Sequence, residues 1–292
     1  MIKVKFFLIL TFFTIQISHG QIDSMKKSRL TPLLIGTGVG YGLGMVGMNE
    51  LWYKNSPRSS FHFFNDAGEW KQMDKVGHCY SAFFESMTAV RVLSWAGLPQ
   101  KKAIFWGCMS GIILQSPIEI LDGFSAAYGA SLSDLVANTA GSAMAFTQYC
   151  AWNEIRIQPK FSFHSTNSAA QRPNVLGSNF LEQVFKNYNG QTYWLSFNIY
   201  SFLAEESKFP RWLNVSLGYS AERMLYAENT PNLQAGQNAY RQYFLSLDID
   251  LTKIKSKNKF VKTLLYSFNI LHIPAPAIEM NKFGIRVHPL YY

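Results

Sequence analysis

Asp74, His78, Ser81 and Glu85 are spaced four, three and four residues apart. On a helix that spacing puts all four on one face. Two shorter rows follow. Glu119 and Asp122 are three apart, just before Gly123, and Asp134 and Asn138 are four apart, with Gly141 continuing their face. Each row lies in an apolar stretch. An isolated buried ion is too costly to keep, so such a group neutralises or finds a partner. The economical arrangement has the three rows facing one another. His78, Glu119, Asp122 and Asp134 would then be placed to bind a divalent metal, or His78, Glu119 and Asp134 to run acid–base catalysis. The same residues also suit a purely structural hydrogen-bonded network of Asp74, Lys75, His78, Ser81, Glu85, Glu119, Asp122, Ser131, Asp134 and Asn138. Duller single-residue roles stay open beside these. Asp74 reads as a helix N-cap, and Ser131-Leu-Ser-Asp134 as a capping box. No HExxH, GxSxG, P-loop or paired CxxC occurs, so no strong catalytic signature decides among the three, and the cofactor is left unknown beyond a possible divalent metal.

These rows need helices to carry them. Four helical stretches are expected, over 31–49, 74–97, 101–124 (bent or broken near Pro117) and 131–152. The first has no charge from Thr31 to Asn49, and Gly36, Gly40 and Gly44 recur every fourth residue, as do Gly38 and Gly42. Such smooth faces let a neighbouring backbone approach closely, as in membrane helix packing. Ala137, Ala140, Gly141 and Ala145 give the fourth helix a similar face. Residues 154–175, with Pro159, Pro173 and a Ser/Asn/Ala tract, read as a linker. Beyond it the period changes to two. A short helix at 179–187 precedes strands at 192–203, 212–219 and 240–251, a helix at 259–268 and late strands at 270–279 and 283–292. About five strands fall short of the eight that an outer-membrane barrel needs.

The chain begins with lysines at 3 and 5, an apolar run from Phe6 to Ile15, and Ser18-His19-Gly20. This is the layout of a secretory signal peptide over 1–20, cleaved before Gln21. No Cys follows the apolar run to accept a lipid. Cys79, Cys108 and Cys150 lie in apolar helical stretches and are expected as buried free thiols. Hydrophobic residues make up 48%, aromatics 15% and charged residues 15% of the chain. Ordinary proteins carry about 25% charged residues. A disordered chain is excluded, and contact with lipid is favoured. The formal charge is +9, and most of the excess lies after residue 153. Lys253, Lys255, Lys257, Lys259 and Lys262 form an acid-free cluster. It suits an anionic membrane surface, or else a lysine-protected edge strand or turn. Nucleic acid is not an expected partner of an exported protein. Membrane lipid or another envelope protein is.

Asp74-Lys75-x-x-His78, Glu119-x-x-Asp122-Gly123 and Gly129-x-Ser131-x-x-Asp134-x-x-x-Asn138-x-x-Gly141 resemble the signature of the YfiM-like family and, more distantly, VanZ-like membrane proteins. The YfiM-like likeness covers about residues 30–150. It implies a bacterial envelope domain, of the periplasmic lipoprotein type, with no established activity. The lipid-acceptor Cys of that type is missing here. The strand-rich half resembles longer, Bacteroidetes-type versions. The architecture expected is α+β: a four-helix bundle with a polar interior over 27–153, then a strand-rich antiparallel domain over 176–292. The protein is expected to be exported, periplasmic and membrane-associated. Its role reads as structural or amphiphile-binding, with a membrane-proximal metal-dependent or acid–base hydrolase or transferase, acting on an envelope lipid or glycan, as the alternative.

Overall fold

Runs of apolar residues with small residues at helical spacing do form four long helices. The computed structural model describes residues 24–53 and 56–291, so the signal-peptide reading of residues 1–20 lies outside them. The helices are α1 (Ser24–Met48), α2 (Met73–Trp95), α3 (Gln100–Gly123) and α4 (Leu132–Trp152). Helix α3 runs unbroken through Pro117. Between α2 and α3, Gly97 adopts φ +93°, a turn geometry that a side chain would strain.

Helices α2, α3 and α4 pack tightly because they carry glycines where they meet. A Cβ on Gly141 would run into the Cys79 carbonyl, and one on Gly111 into the Ala82 carbonyl. Phe83, Met87, Val90, Cys108 and Ala145 fill the core between them. Helix α1 behaves differently. Its glycines have no neighbouring atom within 4 Å of where a Cβ would stand, so the close helix approach expected at this face is not made among the described residues. The Tyr41 hydroxyl donates to the Leu114 carbonyl at 2.7 Å, and Arg29 lies 5.3 Å from the Trp95 ring.

The second half is one six-stranded antiparallel sheet in sequence order, β1 (Ile157–Phe163), β2 (Gln191–Phe197), β3 (Leu213–Glu222), β4 (Tyr240–Ile249), β5 (Ala275–Asn281) and β6 (Gly284–Tyr291). The stretch read as a linker therefore contains the first strand. It also holds α5 (Asn167–Gln171) and α6 (Pro173–Leu176), ahead of α7 (Phe180–Lys186). Pro159 does not prevent β1 because β1 is the first strand of the sheet, with β2 on one side and only an isolated bridge, Phe161 to Leu271, on the other, and an edge strand tolerates a missing N–H. Strand β2 ends at Phe197, and Ile199–Phe202 is a turn of 3-10 helix instead. The remaining helices are α8 (Asn229–Gln234) and α9 (Lys259–Phe268). The lysine cluster lies in a turn and on α9, not along an edge strand.

Alternation along the strands sorts side chains to two faces in an unusual way. The inner face is polar and closed: Lys160, Ser162, Thr192, Ser196, Ser216, Gln242, Asp248 and Glu279 are all buried. Lys160 and Asp248, both fully buried, form an ion pair at 2.7 Å. Lys160 also donates to the Ile249 carbonyl at 2.7 Å. Trp194 lies flat on His272 at 3.8 Å beside Phe244 and Tyr291. Tyr291 reaches back to within 3.1 Å of the Thr192 hydroxyl, so the sheet curls its last strand over its second. The outer face is apolar, with Leu217, Tyr243, Leu245, Leu247, Ile278, Met280, Ile285 and Val287 all exposed. Helix α2 covers part of that face, where Tyr80 meets Phe161 and Tyr193.

All three cysteines are free. Cys108 is buried and Cys79 half-buried, but Cys150 is exposed, against the expectation of buried thiols.

Candidate functional site

The polar rows converge at one end of the α2–α3–α4 bundle. Asp74 lies in the first turn of α2, whose N-cap is Gln72, so the N-cap reading of Asp74 does not hold. The capping reading of Ser131 does hold: its hydroxyl accepts from the Asp134 amide at 3.1 Å and starts α4. The entrance to α2 is unusual. Trp70, Lys71 and Gln72 have φ of 46°, 54° and 65°, three left-handed residues in succession. Each costs about 1–2 kcal/mol without a glycine. The sheet domain holds them, through Trp70 N–H to Ala227 at 2.8 Å and through Tyr219 on Lys71, Asn229 on Lys71 and Arg241 on Gln72.

Lys75 is the centre of the cluster. Its ammonium lies 2.6 Å from Asp66, 2.6 Å from Asp134 and 3.0 Å from Asp74. One turn on, His78 Nδ1 faces the Asn138 Oδ1 at 3.1 Å and Glu119 Oε1 at 4.0 Å, while Nε2 faces Asp134 at 3.8 Å and Asp74 at 3.9 Å. Glu119 accepts from the Ser131 amide at 3.1 Å. Asp122 accepts from the Tyr53 hydroxyl at 2.8 Å and Asp74 from the Tyr188 hydroxyl at 2.6 Å. The Ser131 and Ser133 hydroxyls donate to Asp66 at 2.6 and 2.7 Å.

The structure thus brings together Asp74, Lys75, His78, Glu119, Ser131, Asp134 and Asn138, with Asp122 alongside. Two predicted members fall away. Glu85 lies two turns deeper and accepts from Gln115 at 2.7 Å. The Ser81 hydroxyl makes none of these hydrogen bonds among the described residues. Sequence reasoning missed Asp66, Tyr53 and Tyr188. They come from a loop, the turn after α1 and the segment before β2, where no periodicity marks them.

Five carboxyls, Asp66, Asp74, Glu119, Asp122 and Asp134, meet two cations, Lys75 and His78. Burial and neighbouring acids push Glu119 and Asp122 up to about 7 and Asp134 up to about 6. Burial opposes charge on His78, but Asp74, Asp134 and Glu119 outweigh it and raise its pKa. Burial likewise opposes Asp74, yet His78, Lys75 and Tyr188 together lower it. Protons retained by the raised carboxyls can therefore make up the missing positive charge near neutral pH.

A divalent ion is the other way to supply it. Asp74, His78 and Asp134 can each offer a ligand atom, all within 4.8 Å of one another. Glu119 Oε1 and Asn138 Nδ2 are buried without hydrogen-bond partners, which suits a small species bound next to His78. Against this, Lys75 already occupies the space among three of the carboxylates. Chemically, burial raises Glu119, Asp122 and Asp134 toward neutrality, the range in which general acids and bases work.

Residues 62–150 match a family model described as "Predicted periplasmic lipoprotein (DUF2279)". The match spans every member of the cluster from Asp66 to Asn138 and stops before β1. No curated protein and no solved structure matches the chain.

Proposed function

We propose that the chain is an exported envelope protein that rests on a membrane and has a structural or amphiphile-binding role, the polar cluster holding its helices together. One observation carries this reading: the open face of the sheet is its apolar face, and its closed face is polar. Antiparallel sheets in water show the reverse, whereas sheets that meet lipid show this pattern. Helix α1 supports it, since Arg29–Met48 is long and apolar enough to cross a membrane and none of it is buried. Helix α3 passes the same length test but is packed between α2 and α4, so we read it as a bundle helix. Strand β6 leaves an unpaired edge among the described residues. Unpaired backbone does not enter hydrocarbon, so the sheet is read as lying at the interface, with α1 the segment that enters lipid.

The name of the matched family supports export and a periplasmic setting. The likeness of the three motifs to YfiM-like and VanZ-like proteins belongs to the same reading. The test is fractionation of the envelope. The protein is expected to sediment with membranes and to stay there in about 1 M salt, where surface charge is screened. Recovery in the soluble fraction would overturn the proposal.

A second reading rests on His78 facing Asp134 and Glu119: a metal-dependent or acid–base hydrolase or transferase acting on an envelope lipid or glycan. Metal analysis of the purified protein separates the two. Bound zinc or manganese that disappears in His78→Ala while the fold persists favours the enzyme. Stability lost with no metal to lose favours the structural network.

A further inference from the structure

A cavity of about 430 Å³ opens at the other end of the bundle, where α2, α3 and α4 meet β1, α9 and the turn after β4. Arg91, on its wall, is 13 residues beyond His78, about 20 Å along α2. The volume falls in the range of small-molecule sites, about 300–1,000 Å³. Met87, Val90 and Ile104 give it an apolar wall, and Arg91, Lys253 and Tyr266 form a polar edge.

The polar edge is unbalanced in favour of donors. The two nearby acids are already engaged. Asp250 accepts from the Thr252 amide at 2.9 Å and from Asn198 at 3.1 Å, and Glu154 accepts from Arg156 at 2.9 Å. Among the described residues neither Arg91 nor Lys253 has an ion-pair partner. Arg91 instead lies over the Tyr266 ring at 3.6 Å. That stacking fixes the guanidinium while leaving its N–H fork free to bind an anion. The Tyr266 hydroxyl is buried with no hydrogen-bond partner among the described residues, and a ligand oxygen would supply one.

We propose that this cavity binds a single-chain anionic amphiphile, its tail against Met87, Val90 and Ile104 and its head group on Arg91, Lys253 and Tyr266. The inference rests on the membrane reading only for where such a molecule comes from. Lys253 begins the lysine cluster, so the mouth of the cavity adjoins the surface best suited to anionic lipid.

The test uses the full chain in phosphatidylcholine nanodiscs, titrated with the fluorescent fatty acid 11-(dansylamino)undecanoate against empty discs. One saturable site per chain is expected. Dodecyl phosphate should displace the probe, while dodecyltrimethylammonium, with the same tail and opposite charge, should not. Arg91→Ala combined with Lys253→Ala should weaken binding at least about tenfold, the scale of one lost charge-assisted contact. Tyr266→Phe should weaken it less, and Ile104→Trp should block it by filling the cavity. Absence of saturable binding, equal displacement by the cationic amphiphile, or unchanged affinity in the double variant overturns the site. Vesicle sedimentation of Arg91→Ala keeps the two readings apart. A variant that sediments normally but has lost the probe supports the site. A wild type that binds the probe yet ignores vesicles ends the membrane reading alone.

Discussion

At the scale of single residues, Lys75 matters most because it touches three carboxylates at 2.6–3.0 Å, whereas His78, the other cation, approaches only two of them and no closer than 3.8 Å. Lys75→Met keeps the length and apolar stem of the side chain but leaves Asp66, Asp74 and Asp134 facing one another. Removing one member of a buried ion cluster typically costs about 3–5 kcal/mol. The urea midpoint should fall accordingly, and an unchanged midpoint would show that the cluster does not hold the bundle. The protons of the cluster give a second expectation. Glu119 and Asp122 titrate near 7 and Asp134 near 6 in the folded chain, against ordinary values of 4.5 and 3.8. The folded state therefore binds protons that the unfolded state has released. That contribution to stability is complete below about pH 4 and is lost as pH rises through about 6 to 7. His78, also raised, acts in the same sense, its contribution lost as pH rises past its folded value. Asp66 and Asp74 are lowered, so they act in the opposite sense, but only at pH values around and below 3.8. Unfolding free energy should thus drop, on the order of a few kcal/mol, between about pH 4 and pH 7, less what the buried His164 and His272, both lowered by burial, give back below about 6.5. A stability that is flat or rises over that interval would contradict the assignment.

At the scale of elements, glycines on different helices should respond in opposite ways to the same substitution. Gly141→Ala places a Cβ against the Cys79 carbonyl, backbone that cannot yield without moving α2 from α4. A loss of about 1–3 kcal/mol is expected, typical of overpacking. Gly40→Ala on α1 meets nothing within 4 Å and removes a flexible helix residue, so stability should hold or rise by about 0.5–1 kcal/mol. Chemical denaturation of the two variants checks the contrast, and equal losses would mean that α1 is packed after all. The same difference explains what could be read from the sequence. Helical spacing revealed that Asp74 with His78, Glu119 with Asp122, and Asp134 with Asn138 form rows, because a 3.6-residue period fixes faces regardless of context. It could not show that α1 would stand apart, since glycine spacing describes a surface and not its occupant. Asp66, Tyr53 and Tyr188 carry no period, and tertiary folding alone delivers them. Strand β1 was hidden because Pro159 and the polar tract after Phe163 look like loop, and only its edge position makes the proline acceptable.

At the scale of the whole molecule, alternation told which strand residues share a face, but not which face is wet. In water the apolar face would be expected inside, and here Leu245, Ile278 and Val287, side by side on β4, β5 and β6, point outward. Something apolar must meet them, or their exposure would favour aggregation. The triple variant Leu245→Lys, Ile278→Lys, Val287→Lys tests what that is. None of the three is buried, so folding should survive, each change falling within about 0.5 kcal/mol as for other surface sites. If lipid meets this face, the variant should sediment more weakly than the parent with neutral phosphatidylcholine vesicles, α1 holding the remainder, because three ammonium groups cannot follow the side chains they replace into an apolar layer. Vesicles rich in phosphatidylglycerol separate the contribution of charge. There the lysines of α9 and its preceding turn should retain part of the binding, and Lys257→Gln, Lys259→Gln, Lys262→Gln should remove that part along with its salt dependence. If instead the triple variant sediments like the parent, while the parent alone forms dimers in solution, a second copy and not a bilayer covers the sheet. The inverted polarity would then mark a protein interface, leaving α1 to make the membrane contact alone.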